Sequence, residues 1–255
     1  MSLASFSSQP VSSPVHAGSN AWAEALAAEL RDVVRRASDG SARSVQKHLG
    51  PSEIGHPCDR QVAGKLAGLP STNHVSDPWP SVVGTAVHAW LADAFTADSP
   101  RWLAENRVTP HPDHPGTADL LDLQDGTLTD HKVLGRTTHD KIRKDGPSRT
   151  YFVQTLLYRR GFQLALGIPI PRVAIAAWPR TTSYLGDLYV WGHDVTPEDD
   201  ALIEHVLNVE LPRRKAYAQT LLDGAPLSSV PASPSASDCY FCPFWRPQAA
   251  HDPTA

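Results

Sequence analysis

The sequence has no long run of apolar residues, few cysteines and no large excess of charge of either sign. No apolar stretch is long enough to span a bilayer, and the first residues lack a basic region followed by an apolar core. We therefore expect a cytoplasmic protein that makes no contact with a membrane. The formal net charge of −4 and the pI of about 6.3 argue against a protein that coats duplex DNA through its overall charge.

The composition is otherwise that of a soluble protein with a hydrophobic core. Hydrophobic residues make up 41% of the 255 positions and charged residues 20%, which suffices for a buried core in a chain of this length. The sequence therefore predicts one main domain with appendages.

A β-hairpin is predicted between residues 117 and 133. The pair Asp125-Gly126 is typical of a tight turn, and it is flanked by apolar runs that contain Leu120, Leu121, Leu123 and Leu128. Asp119 lies early in the first arm, whereas Asp130 and Lys132 lie two residues apart near the end of the second. Side chains two apart on a strand share a face, and the hairpin register can bring Asp119 beside them. Two carboxylates held this close favour a hard divalent cation between them.

The order of these residues is similar to that of a known nuclease superfamily. Asp119 and Asp130-x-Lys132 resemble the core of the PD-(D/E)xK nucleases. Gly84-Thr85-x-x-His88 and Gln154-x-x-x-Tyr158 resemble the flanking motifs of its RecB-like exonucleases, which include CRISPR-associated and phage members. The resemblance implies an α/β fold with a restriction-endonuclease-like core, in which helices flank a central mixed β-sheet.

The resemblance also implies a metal-dependent reaction. His88, Asp119, Asp130 and the main-chain carbonyl of His131 are expected to hold one or two Mg²⁺ or Mn²⁺ ions, which polarise the scissile phosphate and activate the attacking water. Lys132 is expected to orient that water or to neutralise charge that develops on the phosphate. A site that mixes imidazole with carboxylates favours manganese over magnesium.

DNA is the partner that the resemblance implies, as a single strand or a duplex end processed in recombination or repair. Gln154 and Tyr158 share a helix face and are expected to support the metal site or the DNA strand, and Arg159 and Arg160 are candidates for phosphate contact. Between residues 130 and 160 the sequence has eight Lys or Arg and three Asp. This excess of basic residues indicates either a positively charged surface that binds DNA or an ordinary solvated surface. The alternatives are a non-catalytic nucleic-acid-binding module and an endonuclease on the same core.

The three cysteines are predicted to bind a metal. Cys239 and Cys242 form a C-x-x-C pair, which in a cytoplasmic protein favours metal binding or redox chemistry over a structural disulfide. Members of the resembling family join their two ends with an iron-sulfur cluster, and Cys58 with the C-terminal pair matches three of its four ligand positions. His56, His251 or an outside group would complete a 4Fe-4S cluster, or the site holds zinc or nothing.

Four regions follow from composition and from the resemblance. Residues 1–19, rich in Ser, Pro and Gly, are predicted to be a disordered tail, and residues 20–77 a helical region that contains the first cysteine. Residues 78–222 are the predicted nuclease core. Residues 223–255 are a Pro/Ser linker with the C-terminal C-x-x-C segment.

Hydrophobic periodicity predicts the elements around the hairpin. Helices are predicted at 20–36, where Trp22, Leu26 and Leu30 suggest packing, and at 82–95, 151–167 and 197–222, the last broken near Pro212. Strands are predicted after Trp102 and at 173–178 and 188–195, and a mobile loop at 133–150. His111 and His114 have the spacing of half a zinc site, but three prolines surround them and no second pair lies nearby, so an ordinary loop is preferred.

Overall fold

The computed structural model describes residues 21–39, 49–73, 77–233, 239 and 242–244. The predicted tail at residues 1–19 and the candidate ligand His251 lie outside them. The chain divides into two compact units, residues 1–44 and 45–255. In the first unit one helix is described, and the second unit holds the sheet and the helices around it.

Eight α-helices occur in the described residues. They are α1 Ala21–Asp39, α2 Pro51–Ile54, α3 Asp59–Leu66, α4 Trp79–Asp98, α5 Arg136–Asp145, α6 Arg149–Leu166, α7 Pro197–His205 and α8 Leu211–Leu222. A π-helical turn, Val206–Glu210, joins α7 to α8 and places the break just before Pro212, as expected for a residue without an amide proton. No helix in the described part of the chain has the length and apolar character that a bilayer crossing needs.

Five strands form one mixed sheet in the order β1-β2-β3-β4-β5. Their bounds are β1 Trp102–Val108, β2 Gly116–Asp122, β3 Thr127–Leu134, β4 Arg172–Pro179 and β5 Tyr189–Asp194. β3 and β4 are parallel and the other neighbours are antiparallel. The predicted mixed sheet with flanking helices is confirmed, as is the hairpin, whose turn places Gly126 at a φ of 62°.

Helices α4 and α6 lie against opposite faces of the sheet. Consecutive side chains of a strand point to opposite faces. Lys132 of β3 contacts Gln154 of α6, and the neighbouring His131 stacks on Phe95 of α4. The α6 face forms the main hydrophobic core, in which buried helix side chains pack against strand residues that include Val108, Ala118, Leu121, Leu128, Val173, Val153, Leu156, Leu157 and Phe162. The sheet therefore carries the hairpin between two helices that hold it on both sides.

Several local predictions need correction. The predicted mobile loop at 133–150 contains the end of β3 and helix α5, whose His139 and Ile142 are buried. These two residues are three apart in an otherwise polar segment, so packing rather than periodicity determines the helix. The apolar side chains Trp22, Leu26 and Leu30 of α1, which were predicted to pack, are exposed.

The residues that follow α8 contact the region around α3. The Arg60 amide donates to Pro231 O (3.0 Å) and its Nε to Val230 O (2.8 Å). Farther along, the amides of Thr72 and Asn73 both donate to Pro243 O (2.8 and 2.9 Å). The two ends of the second unit are thus joined by main-chain hydrogen bonds.

Candidate metal centre

The candidate site lies where the pairing of β2 with β3 ends. The two strands pair from Asp122–Thr127 to Leu120–Thr129, and Asp119 and Asp130 are the next residues beyond the last pair. There the His131 amide donates to Asp119 Oδ2 (2.6 Å), a side chain of the neighbouring strand. The strands part at this point, and the space between them receives acidic side chains.

His88 lies between two carboxylates. Its Nδ1 is 3.4 Å from Asp119 Oδ1 and 3.4 Å from Glu105 Oε1. Burial lowers the pKa of His88, but the hydrogen bonds and charges of Asp119 and Glu105 outweigh it and raise the pKa to about 9. The ligand atoms of these three residues lie within 4.8 Å of one another. The cluster thus has the electrostatics of a cation site, with an imidazole and two carboxylates as donors.

Glu105 was not predicted from the sequence as part of the site. It belongs to β1 and faces Asp119 across the ladder, between the pairs Ala104–Leu120 and Asn106–Ala118. Its φ of 48° lies in the left-handed region, and it is the non-glycine residue with positive φ in the described chain. Such strain gathers at functional sites, where surrounding contacts hold it in place. The Glu105 carboxylate lies 3.4 Å from His88 Nδ1, and the positive φ of the residue is not readable from residue order.

Asp130 and Lys132 form a buried pair on the face of β3 that contacts α6, opposite the face that carries His131. Lys132 Nζ lies 2.6 Å from Asp130 Oδ2. Asp130 is 1% exposed, and its second oxygen, Oδ1, has no hydrogen-bond partner among the described residues. Burial raises the pKa of Asp130 to about 6 despite the ammonium of Lys132. A buried carboxylate with open lone pairs is a group that a cation would stabilise.

Lys132 begins a chain of polar contacts that ends in α6. Its Nζ donates to Gln154 Oε1 (3.1 Å), and Gln154 Nε2 donates to Tyr158 Oη (3.4 Å). Burial acts to lower the pKa of Lys132, but the charges of Asp130 and Asp119 outweigh it, so the pKa is raised. Burial raises the pKa of Tyr158 to about 12. Gln154 and Tyr158 are both buried, so their contacts support Lys132 rather than reach the surface.

The imidazole of His131 is buried between the two sides of the site. Trp178 Nε1 donates to its Nδ1 (3.3 Å), and its ring stacks on Phe95. Burial lowers the pKa of His131 to about 4, so the ring is neutral at physiological pH. The role expected for the residue, a main-chain carbonyl on the metal, stays a prediction.

Other predicted site residues lie apart from this cluster. Arg159 is buried, with its Nε donating to Ile170 O (2.7 Å) and its Nη1 paired with Asp200 (2.5 Å). Arg160 pairs with Glu204. These contacts join both side chains to α7 or to the loop before β4, so phosphate contact by either residue stays a prediction that requires its ion pair to open.

The remaining motif interpretations have mixed outcomes. Of the described residues, the two groups of three that have metal-ligand spacing contain no cysteine, so a cluster or zinc ion on Cys58, Cys239 and Cys242 stays a prediction. A side-chain carbon at Gly84 would meet open space, so α4 does not need a glycine at this position for packing.

Comparisons with known proteins add a weak similarity of fold. No protein-family model and no curated protein sequence matches the chain. An alkaline exonuclease from Laribacter hongkongensis is similar with 14% identity and a TM-score of 0.47, over 69% of this chain and 91% of that one. A phage-related exonuclease from Haemophilus somnus 129PT is similar with 12% identity and a TM-score of 0.46. This similarity covers 66% of this chain and 82% of that one. Since these TM-scores are below 0.5, the argument for function depends on the side chains of the site.

Proposed function

We propose that this chain is a DNA exonuclease of the PD-(D/E)xK type that requires Mg²⁺ or Mn²⁺ and acts on single-stranded DNA or duplex ends. The observation that carries the proposal is the state of Asp130. Its carboxylate is buried, has open lone pairs, and lies beside a charged lysine and next to the cluster of His88, Glu105 and Asp119. This arrangement supports hydrolysis of a phosphodiester more readily than structural packing, since a buried open carboxylate destabilises the fold.

The donor set fits a divalent ion of borderline hardness. His88, Glu105, Asp119 and Asp130 would hold it, with one imidazole and three carboxylates as ligands. Bound there, the ion would supply Lewis acidity towards a phosphoryl oxygen and a lower pKa for water. The imidazole favours Mn²⁺ over Mg²⁺ as the better activator.

Lys132 has the position and charge of a group that acts on phosphate. The raised pKa keeps the ammonium protonated, and Asp130 and Gln154 hold it from two sides. A fixed ammonium stabilises negative charge that builds up on a phosphate in the transition state, and it orients an attacking water by hydrogen bonding. Gln154 and Tyr158 serve as its support within α6.

The proposal is tested by cleavage of end-labelled linear DNA and of closed circular DNA, in Mg²⁺ and in Mn²⁺. We expect linear DNA to be degraded from its ends and the circle to stay intact. Cleavage of the circle would instead establish an endonuclease on the same core, and binding of DNA without cleavage in either metal would establish a non-catalytic module.

The variant Asp130→Asn tests the central residue. We expect cleavage to fall by about 1,000-fold or more, the scale on which loss of a charge-stabilising group acts in catalysis. Asp125→Asn is the matched control, because Asp125 is an exposed acid on the turn of the same hairpin. Equal activity of the two folded variants in the linear-DNA assay would remove Asp130 from the mechanism.

A further inference from the structure

A second cluster of potential metal ligands lies in the loop between β1 and β2. The ligand atoms of His111, Asp113 and His114 lie within 4.8 Å of one another. None of the three belongs to the candidate nuclease site, and the proposed exonuclease reaction does not use them. The loop contacts the main chain before α2 through His114 and helix α8 through Asp113.

His114 is held in the form that a metal ion needs. Its Nδ1 lies 2.8 Å from Leu49 O, and since a carbonyl accepts, the proton belongs to Nδ1 and the lone pair to Nε2. Metal-binding histidines characteristically donate their second ring nitrogen to a main-chain carbonyl in this way. The residue is 4% exposed, and Nε2 has no hydrogen-bond partner in the described chain. A buried nitrogen with an open lone pair is a group that a bound metal ion would stabilise.

The two other residues complete a donor set at the surface side of the loop. The Asp113 amide donates to His111 Nδ1 (3.2 Å), a long hydrogen bond that a metal ion can replace. Asp113 Oδ2 pairs with Lys215 Nζ of α8 (2.6 Å). Burial lowers the pKa of His114, and burial together with the ammonium of Lys215 lowers the pKa of His111.

We propose that His111, Asp113 and His114 bind a zinc ion that fixes the conformation of the β1–β2 loop, whose His114 donates to Leu49 O before α2. Two imidazoles and one carboxylate suit zinc or a similar borderline ion rather than magnesium, and a water would complete four-coordination. Lys215 competes with the ion for Asp113. A zinc ion that binds there displaces the Lys215 ammonium from the carboxylate. The ion is structural, because its three ligands form a group separate from the candidate nuclease site.

The test is a titration of the full-length protein with Zn²⁺ by calorimetry in excess Mg²⁺, repeated with the His88→Ala variant, which removes the imidazole that would let Zn²⁺ compete at the nuclease site. We expect one strong Zn²⁺ site and a higher melting temperature on addition of Zn²⁺, because a ligand that binds only the folded state stabilises it. Titration with Co²⁺ separates this site from the cysteines, since bound Co²⁺ is expected to show d–d bands without thiolate-to-metal charge transfer.

Four variants decide the assignment. His111→Ala is expected to weaken Zn²⁺ binding by about 100-fold or more, the upper range seen for loss of a group that only orients a ligand. Asp113→Asn is expected to weaken it less, whereas Lys215→Ala is expected to strengthen it by removing the competing ammonium. His205→Ala, which changes a half-exposed histidine of α7 outside the group, is the control and is expected to bind as the wild type does.

Two results would overturn the site. One is the absence of any Zn²⁺ uptake in excess Mg²⁺ by the wild-type protein. The other is unchanged Zn²⁺ affinity in both His111→Ala and Asp113→Asn, with circular dichroism showing both variants folded. Neither outcome bears on cleavage of DNA, so the exonuclease proposal is judged separately.

Discussion

At the scale of single residues, the site holds Glu105 in a backbone conformation that favours glycine. A left-handed φ costs an L-residue about 1–2 kcal/mol. The cost is local to one residue of β1, and the carboxylate that it positions lies 3.4 Å from His88. Function and stability are therefore opposed at this position.

We predict that Glu105→Gly unfolds at a higher denaturant concentration than Glu105→Ala. Both variants lose the carboxylate, but only glycine relieves the strain, so their free energies of unfolding should differ by about 1 kcal/mol in favour of glycine. Elsewhere in a strand the order is the reverse. Both variants should lose affinity for Mn²⁺, measured by calorimetry. An alanine variant as stable as the glycine variant would show that the φ of 48° carries no strain.

A second prediction concerns Gln154, which contacts Lys132 directly. Gln154→Leu keeps the volume of the side chain but removes its hydrogen bonds to Lys132 and Tyr158, so the ammonium loses one of its two supports. We expect kcat for cleavage to fall about 10-fold, the lower range for loss of an orienting partner, with KM for DNA little changed.

Gln163→Leu, on the same helix but outside the site, is the matched control for this substitution. A rise in KM with kcat unchanged would indicate that Gln154 contacts the DNA rather than Lys132.

The residues of the site differ in how far the sequence predicts them. Asp119, Asp130 and Lys132 follow from the Asp125-Gly126 turn and the two-residue period of a strand, which fix register locally. Glu105 belongs to the site because of its unusual φ and the pairing of β1 with β2. Neither feature leaves a pattern in the order of the residues. The open lone pair of His114 depends on Leu49, 65 positions earlier in the chain, which explains why the His111 and His114 spacing looked like an ordinary loop.

At the scale of elements, α3 and α8 are joined by one buried arginine. Arg214 is 1% exposed, and its guanidinium donates to Asp59 Oδ1 (2.8 Å), Ile54 O (2.7 Å) and His56 O (2.8 Å). Burial raises the pKa of Asp59, but the hydrogen bonds of Arg214 and Arg213 outweigh it, so the pKa lies below its usual value. The pair therefore stabilises the fold only while Asp59 is ionised.

We predict that Asp59→Asn lowers the free energy of unfolding at pH 7 by about 2 kcal/mol, less than for a fully buried pair. Because the folded pKa is lowered, the contribution of Asp59 is complete above its unfolded pKa of about 4 and is lost as the pH falls further. The difference between wild type and variant should therefore close below about pH 4.

Urea unfolding at several pH values measures this difference. Asp125→Asn, at an exposed pair with Arg172, should show almost none at any pH. If the difference in free energy of unfolding between wild type and Asp59→Asn does not depend on pH, packing rather than charge joins α3 to α8.

Elements in the polar part of the chain were harder to predict than the apolar ones. Helix α6 can be predicted from the spacing of its apolar residues and from its two ends. Ser148 is the N-cap, and Gly167, with a φ of 67°, is the C-cap. Helix α5 has ten residues of which two are buried, and His139 Nε2 contacts Asp187 O (3.1 Å) from a different part of the chain. A helix stabilised by such distant contacts cannot be inferred from its own residues.

At the scale of the whole molecule, the C-terminal residues 242–244 pack on the start of the second unit. The buried ring of Phe244 lies against Gly64 of α3, where a side-chain carbon would come within 2.5 Å of it. Pro243 O accepts the Thr72 and Asn73 amides. The contact between the two ends therefore depends on the absence of a side chain at position 64.

We predict that Gly64→Ala releases residues 242–244 from α3. The added methyl group overlaps the ring of Phe244, so the hydrogen bonds to Pro243 O should open and the amides of Thr72 and Asn73 should exchange with deuterium faster. Gly84→Ala, also in a helix but facing open space, should leave those amides protected and stabilise α4 by about 1 kcal/mol. Unchanged exchange at Thr72 and Asn73 in Gly64→Ala would contradict the prediction.

The unequal pairing of β3 with its two neighbours has a mechanical consequence. β3 is bonded to β4 from Thr127–Arg172 to Leu134–Pro179, but to β2 only as far as Leu120–Thr129. Asp130 and Lys132 therefore lie on a strand held by main-chain hydrogen bonds to β4, whereas Asp119 is joined to β3 only through its side chain, which accepts from the His131 amide. At the proposed site, an ion of a different radius would therefore displace the β2 side more than the β3 side. In the proposed reaction, β3 would then keep the phosphate aligned while β2 adapts to the ion.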